Sequence, residues 1–348
     1  MMKRAFLAIL LFLAVVAAFP APAPALSMYE DDDKTEINTA FGLQGWFSTA
    51  DAKWQISFPY RTQAANSGIS AGTVGKIESE LNFKKIDSPI IVMTGGAKLA
   101  PLFSFDVVYG TGAISGGRGT DTDRFVPGQG SKLEFSKSTS ELTGDVRMWG
   151  VNFYLNNRRF GDTKAGPWGA VFGFLHYEDN LTMNKGVQTV SETFDGSAFP
   201  PIGPFPATQV LDSTFDFIWN ALKVGVTHQA AIKKDLLFEG MLSLYPYVRY
   251  TGEGYWNLRA GNNPRDFRRQ FPNFTHQSTS GYGYEATLGL SYELSEHVQL
   301  SGGYRYFYLY ANNGTDTVYF ADGSTSESNL DWVTVTRHGA YAEVLVKF

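Results

Sequence analysis

The stretch best suited to chemistry is Gly116-Gly117-Arg118-Gly119-Thr120-Asp121-Thr122-Asp123-Arg124. Two carboxylates two residues apart on an extended chain point the same way. Such a pair can share a proton and position a water molecule, because like charges at close range resist ionising together. In open solvent the same residues are ordinary turn formers. A second stretch mixes aromatic and basic residues: Tyr255, Trp256, Arg259, Arg265, Phe267, Arg268, Arg269, Phe271 and Phe274. It suits lipid headgroups, glycans or a protein partner, or equally a loop folded over an opening beneath it. The chain has no cysteine, which removes thiol nucleophiles, disulfides and thiolate metal sites. His228, His297 and His338 are scattered without metal-ligand spacing, so no metal and no cofactor is expected. A net charge of -5 gives no nucleic-acid footprint.

The elements that must hold these residues are strands. The last stretch, Gly339 to Phe348, alternates strictly: Ala340, Ala342, Val344, Val346 and Phe348 on one face, Tyr341, Glu343, Leu345 and Lys347 on the other. Alternation of this kind serves a strand with lipid on one side and a polar lumen on the other. The stretch is similar to the C-terminal signal by which outer-membrane barrels engage the barrel-assembly machinery, which is the partner this resemblance implies. The start of the chain has a basic Met1-Met2-Lys3-Arg4, an apolar run from Ala5 to Phe19 and an Ala23-Pro24-Ala25 site. That reads as a secretory signal peptide over residues 1–25, leaving a barrel domain over 26–348. An acidic run, Glu30 to Asp33, follows as a solvated tail.

Ten strands follow from the alternation: roughly 36–58, 76–99, 102–114, 142–156, 167–185, 213–231, 236–256, 282–294, 298–310 and 330–348. The eighth is the cleanest, with Tyr282, Tyr284, Ala286, Leu288, Leu290, Tyr292 and Leu294 against Gly283, Glu285, Thr287, Gly289, Ser291 and Glu293. The sixth has a mixed pattern and no firm register. Short turns alternate with long polar loops at 59–75, 115–137, 186–212, 257–280 and 312–329. The fold class is therefore all-β, a transmembrane antiparallel up-and-down barrel of about ten strands. Mean hydropathy is slightly negative, as it is for barrels in which half of each strand is polar. Glu78, Glu80, Lys84, Asp106, Arg249, Glu285, Arg305, Arg337 and Glu343 are expected to face inward as a paired network.

The ten-strand plan, the Gly-Arg-Gly…Asp-x-Asp second loop, Lys76-Ile77-Glu78-Ser79-Glu80-Leu81-Asn82-Phe83 and Arg249-Tyr250-Thr251-Gly252 resemble the omptin family of outer-membrane proteases. The resemblance implies an aspartic endopeptidase site at the extracellular rim, with Asp121 and Asp123 facing an Asp-His pair across a cleft and water as nucleophile. The partner pair should appear as Asp-x-His shortly after Gly252, but the chain reads Glu253-Gly254-Tyr255-Trp256 there. Asp266 and His276 come later, at a different spacing. The resemblance also implies outer-wall contact with outer-membrane lipid, including lipopolysaccharide; Glu178 matches that site, while Asn180 stands where an arginine is expected. Three functions stay open: a surface binding or structural barrel without the full protease site, an omptin-type endopeptidase with an unrecognised base, and a narrow porin or lipid-handling barrel.

Overall fold

The computed structural model describes residues 39–63, 69–100, 102–156, 167–196, 200–207 and 209–348. The expected signal peptide and acidic run lie outside these residues. Thirteen β segments follow in order: β1 (Thr39–Arg61), β2 (Val74–Ala100), β3 (Phe103–Ile114), β4 (Gly116–Pro127), β5 (Leu133–Leu155), β6 (Trp168–Ser191), β7 (Gly203–Pro204), β8 (Asp212–Lys233), β9 (Leu236–Tyr255), β10 (Phe274–Ser278), β11 (Ser280–Glu293), β12 (Val298–Tyr319) and β13 (Thr325–Lys347). β3 with β4, and β10 with β11, each form one wall strand broken at a single residue, so ten antiparallel strands make the wall. β1 pairs with β13, with Trp46 opposite Tyr341, and this closes the sheet. Closure leaves no backbone edge facing lipid.

The strands are longer than the alternation indicated. The second loop expected at 115–137 is mostly strand: β4 and the start of β5, joined by a turn at 128–132. β12 runs on to Tyr319 and β13 begins at Thr325. Strand six is β8, in continuous register with β6 from Trp168 opposite His228 to Asn184 opposite Asp212. The added lengths rise beyond the lipid band, and their side-chain pattern differs for that reason.

Within the band the outer face is apolar. Phe41, Leu43, Phe47, Ile91, Val107, Phe153, Phe172, Leu244, Leu290 and Val344 are all exposed. The inner face there is polar, with Ser104, Asp106, Asn152, Lys223, Ser243 and Glu285 buried. Above the band both sides of the wall meet water or protein, and the pattern inverts. Trp54, Leu81, Phe83, Phe215, Phe217, Tyr250 and Phe274 fill the lumen. Phe83 of β2 reaches Phe217 of β8 at 5.6 Å between ring centres, and Trp54 of β1 reaches Phe215 at 5.8 Å.

The expectation that Glu78, Glu80, Lys84 and Arg249 point inward is therefore corrected. Leu81 and Phe83 take the lumen side, which sends the opposite parity of β2 outward. There Glu80 pairs with Lys53 at 3.1 Å and Arg124 at 3.6 Å, and Glu78 pairs with Lys76 and Lys132, each at 2.8 Å. Arg249 is exposed on the outer wall. The ladder is irregular at the crossover: β2 skips between Lys84 and Asp87 in its pairing with β4, and Lys85 has φ 53°. Beside it Gly144 has φ 145°, and a Cβ there would lie 1.9 Å from the Asn180 carbonyl oxygen. Only glycine fits there.

Two charged layers cross the lumen. In the upper one Arg337 of β13, fully buried, donates to Asp179 Oδ1 (2.7 Å), Tyr177 OH (2.7 Å) and Ser48 Oγ (2.8 Å). In the lower one Glu285 meets Arg305 at 2.7 Å and Lys223 at 2.9 Å. Removing one partner of a buried pair strands the other charge at a cost of about 3–5 kcal/mol. Arg337→Leu should therefore lower unfolding free energy by roughly that amount in lipid vesicles titrated with urea. The double variant Arg337→Leu/Asp179→Leu should recover most of the loss.

Candidate functional site at the extracellular mouth

Asp121 and Asp123 lie on β4, not in a loop. Register places Asp121 opposite Leu81 of β2 and Ser138 of β5, and Asp123 opposite Ser79 and Ser136. Directly opposite residues share a face, and Leu81 faces the lumen, so both carboxylates turn inward near the rim. Both are half-buried. Burial pushes each carboxyl above its ordinary range; the neighbouring Asp123 charge pushes Asp121 further, and Arg259 opposes the shift at both. Ser79 donates to Asp123, which also opposes its rise. Two acids crowded in this way hold a proton more tightly than usual.

Arg259 ends the 3-10 turn Asn257–Arg259, which continues from β9 over the mouth. Asn257 fixes the turn. Its Oδ1 accepts from the Asp212 amide (3.0 Å) and Ser213 Oγ (2.8 Å), and its Nδ2 donates to the Val210 carbonyl (2.8 Å). Trp256 and Leu258 pack down on the lumen cluster. Farther along, the Arg268 guanidinium lies over the Tyr319 ring at 4.1 Å and Phe267 meets Phe320 edge-on at 6.0 Å. The aromatic-basic stretch is thus a cap tied to its neighbours, the second of the two arrangements open at the sequence level.

The Asp-x-His position is occupied differently. β9 turns Tyr250, Gly252 and Gly254 toward the lumen. A Cβ on Gly254 would lie 2.1 Å from Phe274 Cζ, and one on Gly252 would lie 2.9 Å from Phe215 Cζ and 3.2 Å from His276 Cβ. β10 lays Phe274 and His276 over these glycines, with His276 opposite Gly252. His276 is fully buried. Its ring centre lies 4.7 Å from Trp54, 5.3 Å from Phe215 and 5.6 Å from Phe274. Nε2 is 3.2 Å from Asp316 Oδ1 on β12, and neither ring nitrogen makes a hydrogen bond among the described residues. Asp316 Oδ2 accepts from Ser328 Oγ at 2.7 Å. Asp266, the other later acid, accepts from the Asn263 amide within its own loop. No sequence spacing signals the His276–Asp316 contact, since only the β10–β12 register sets the two residues opposite each other.

Glu178 sits on the outer wall. It accepts from His176 Nε2 at 2.8 Å, and the Trp149 ring stacks on His176 at 5.3 Å. Asp145 bonds Arg147 (3.0 Å) and Asn180 (3.0 Å) beside it. Just below, a pocket opens on the outer wall between Phe174, Asn220, Leu222, Tyr247 and Arg249. Asp216 lies above this pocket, its carboxyl pushed up to about 6 by burial and then by Glu253, Glu178 and Asp145.

These acids are raised relative to the unfolded chain, so the folded state binds their protons more tightly. Their stabilising contribution is complete below about pH 4 and falls as pH rises through the native values. The barrel should melt higher at pH 5 than at pH 7.5. Asp216→Asn should flatten that dependence above pH 4, raising Tm at pH 7.5 by roughly 2 °C or more. Differential scanning calorimetry of the refolded barrel checks both expectations.

A family model described as Protochlamydia outer membrane protein, Pom, matches residues 45–341. The outer membrane protease OmpT of Escherichia coli is similar in structure, with a TM-score of 0.65 at 13% identity over 92% of this chain and 99% of that one. The autotransporter translocator domain of NalP from Neisseria meningitidis (TM-score 0.34, 12% identity, 99% and 96% covered) is far looser. So is Ail of Yersinia pestis, solved with a heparin analogue (TM-score 0.28, 9% identity, 90% and 100% covered). No curated protein sequence matches. The OmpT likeness shows a shared omptin-like barrel fold. This chain belongs to the Protochlamydia outer membrane protein family, as an omptin-like β-barrel of the bacterial outer membrane.

Proposed function

We propose that this barrel serves as a surface binding and structural protein without endopeptidase activity. One observation carries the reading: among the described residues the Asp121–Asp123 pair has no open imidazole facing it, because His276 is sealed among Trp54, Phe215 and Phe274. Water attack on an amide without a positioned base loses about 10²–10⁴-fold. Filling of the upper lumen by aromatic rings supports the absence of a pore. Binding is directed to the outer wall, where Arg147, Arg249, His176 and Glu178 ring the top of the lipid band and suit anionic lipid headgroups, including lipopolysaccharide. β13 would engage the assembly machinery with its outward row of Ala340, Ala342, Val344 and Val346, after a leader over residues 1–25 is removed.

A second reading, an aspartic endopeptidase, is favoured by the His276–Asp316 contact at 3.2 Å, an Asp-His pair assembled from two strands. It requires the cap to lift and His276 to reach the acid pair. A fluorogenic dibasic peptide offered to the refolded barrel in lipopolysaccharide separates the two. The binding reading expects no cleavage above the blank, with heat-modifiable migration confirming the fold, and silent single-channel recordings. Cleavage abolished by both Asp121→Asn/Asp123→Asn and His276→Ala would establish the enzyme instead.

A further inference from the structure

On the outer wall β8 and β9 set their side chains in opposed pairs: Leu222 with Tyr247, Asn220 with Arg249, Ile218 with Thr251, and Asp216 with Glu253. The alternate residues, Phe217, Trp219, Val248 and Tyr250, fill the lumen side. Going outward from the lipid band, the wall is therefore apolar, then cationic, then neutral, then acidic. At the foot of this ladder the register slips by one, so that Tyr245 and Pro246 stand against Lys223 alone. Proline brings no N–H to a ladder, and the bulge turns Pro246 and Tyr247 outward together. There the outer-wall pocket opens, about 380 Å³ between Phe174, Leu222, Tyr247 and Arg249.

The charges on this wall fall into two sets. Asp145 is bound to Arg147 at 3.0 Å, and Glu178 to His176 at 2.8 Å. Arg249, Asp216 and Glu253 make no hydrogen bond or ion pair among the described residues. Asp216 and Glu253 are half-buried and directly opposite each other. Like charges placed so repel, and a cation between them relieves both. Asn220 has its Oδ1 on His176 Nδ1 at 2.9 Å, which leaves its amide N–H groups to donate beside Arg249. The order along the wall is that of a phospholipid ending in an amine: chain, phosphate, ammonium. The length also fits. Arg249 and Glu253 are four residues apart on β9, about 13 Å along an extended strand. Two hydrogen bonds of about 2.9 Å each, with the five bonds from a phosphate oxygen to an ethanolamine nitrogen between them, fill that span. A headgroup without an amine leaves the acids repelling each other, and a choline group brings them no N–H.

We propose that the β8–β9 wall binds one phosphoethanolamine lipid, with a chain in the bulge pocket, its phosphate on Arg249 and Asn220, and its ammonium between Asp216 and Glu253. This rests on the outer-wall headgroup binding proposed above and gives that site its chemical preference. The probes are dioleoyl phosphatidylethanolamine, phosphatidylglycerol and phosphatidylcholine, each titrated into the refolded barrel in nonionic detergent and counted by native mass spectrometry. One phosphatidylethanolamine per barrel is expected, held roughly fivefold or more tighter than the other two, as a charge-assisted contact allows. Arg249→Gln should weaken phosphatidylethanolamine and phosphatidylglycerol alike. Asp216→Asn/Glu253→Gln should weaken phosphatidylethanolamine and strengthen phosphatidylglycerol, reversing their order. Heat-modifiable migration confirms that each variant is folded. If the double variant fails it, Thr251→Arg takes its place, since an arginine beside the acids neutralises them and the same reversal is expected. Equal retention of the three lipids by the wild type, or an ethanolamine preference that survives loss of the acids, overturns the proposal while phosphatidylglycerol binding through Arg249 still upholds the outer-wall site. Binding of none of the three overturns both.

Discussion

Every wall strand passes from lipid into water without stopping, and that change of solvent governs the architecture. In the lipid band an outward side chain must be apolar, and the lumen takes the polar set. Above it an outward side chain meets water, so the outer face becomes ionic and the lumen can be filled with rings. The inward row keeps its face and changes only in kind: on β8 Lys223 within the band and Phe217 and Phe215 above it share one parity, in unbroken register with β6, while on β2 the ladder is irregular at Lys84–Asp87. From these follow the aromatic plug, the Lys53–Glu80–Arg124 collar and the inward aim of Asp121 and Asp123.

The sequence made the membrane-embedded half easy to read. Tyr282 to Leu294 and Gly339 to Phe348 alternate cleanly because lipid and lumen act on them continuously, and both are strands in the structure. The extracellular half was harder. Gly116–Pro127 looks like a loop because its glycines, threonines and aspartates lack an apolar face, yet β2 and β5 hold it as a strand on both sides. Strand two carries polar and apolar residues in alternation from Lys76 to Lys84, and nothing local tells which set faces in. The answer depends on Phe217, contributed from across the barrel. His276 and Asp316 lie forty residues apart and meet only through sheet register.

Functional reading depends on the same geometry. A barrel shared with OmpT at 13% identity establishes a scaffold, and scaffolds host unrelated functions. Here Asp121 and Asp123 turn inward on β4, while on β9 Gly252 and Gly254 are covered by Phe274 and His276. The two charged layers beneath add geometric definition more than net stability, since burying ions costs nearly what their pairing returns. Arg337 ties β13 to β6 across the lumen, which holds the wall to one cross-section under the plug.

The central claim is that the mouth is closed around His276. Deuterium exchange at the imidazole C2 position, followed by mass spectrometry on the refolded barrel, tests it without reference to any activity. His297, exposed in the turn between β11 and β12, provides the reference within the same molecule. The structure predicts that His276 exchanges far more slowly than His297 across neutral pH. Exchange of His276 at the rate of His297 would mean an open, hydrated cleft and would contradict the closed mouth.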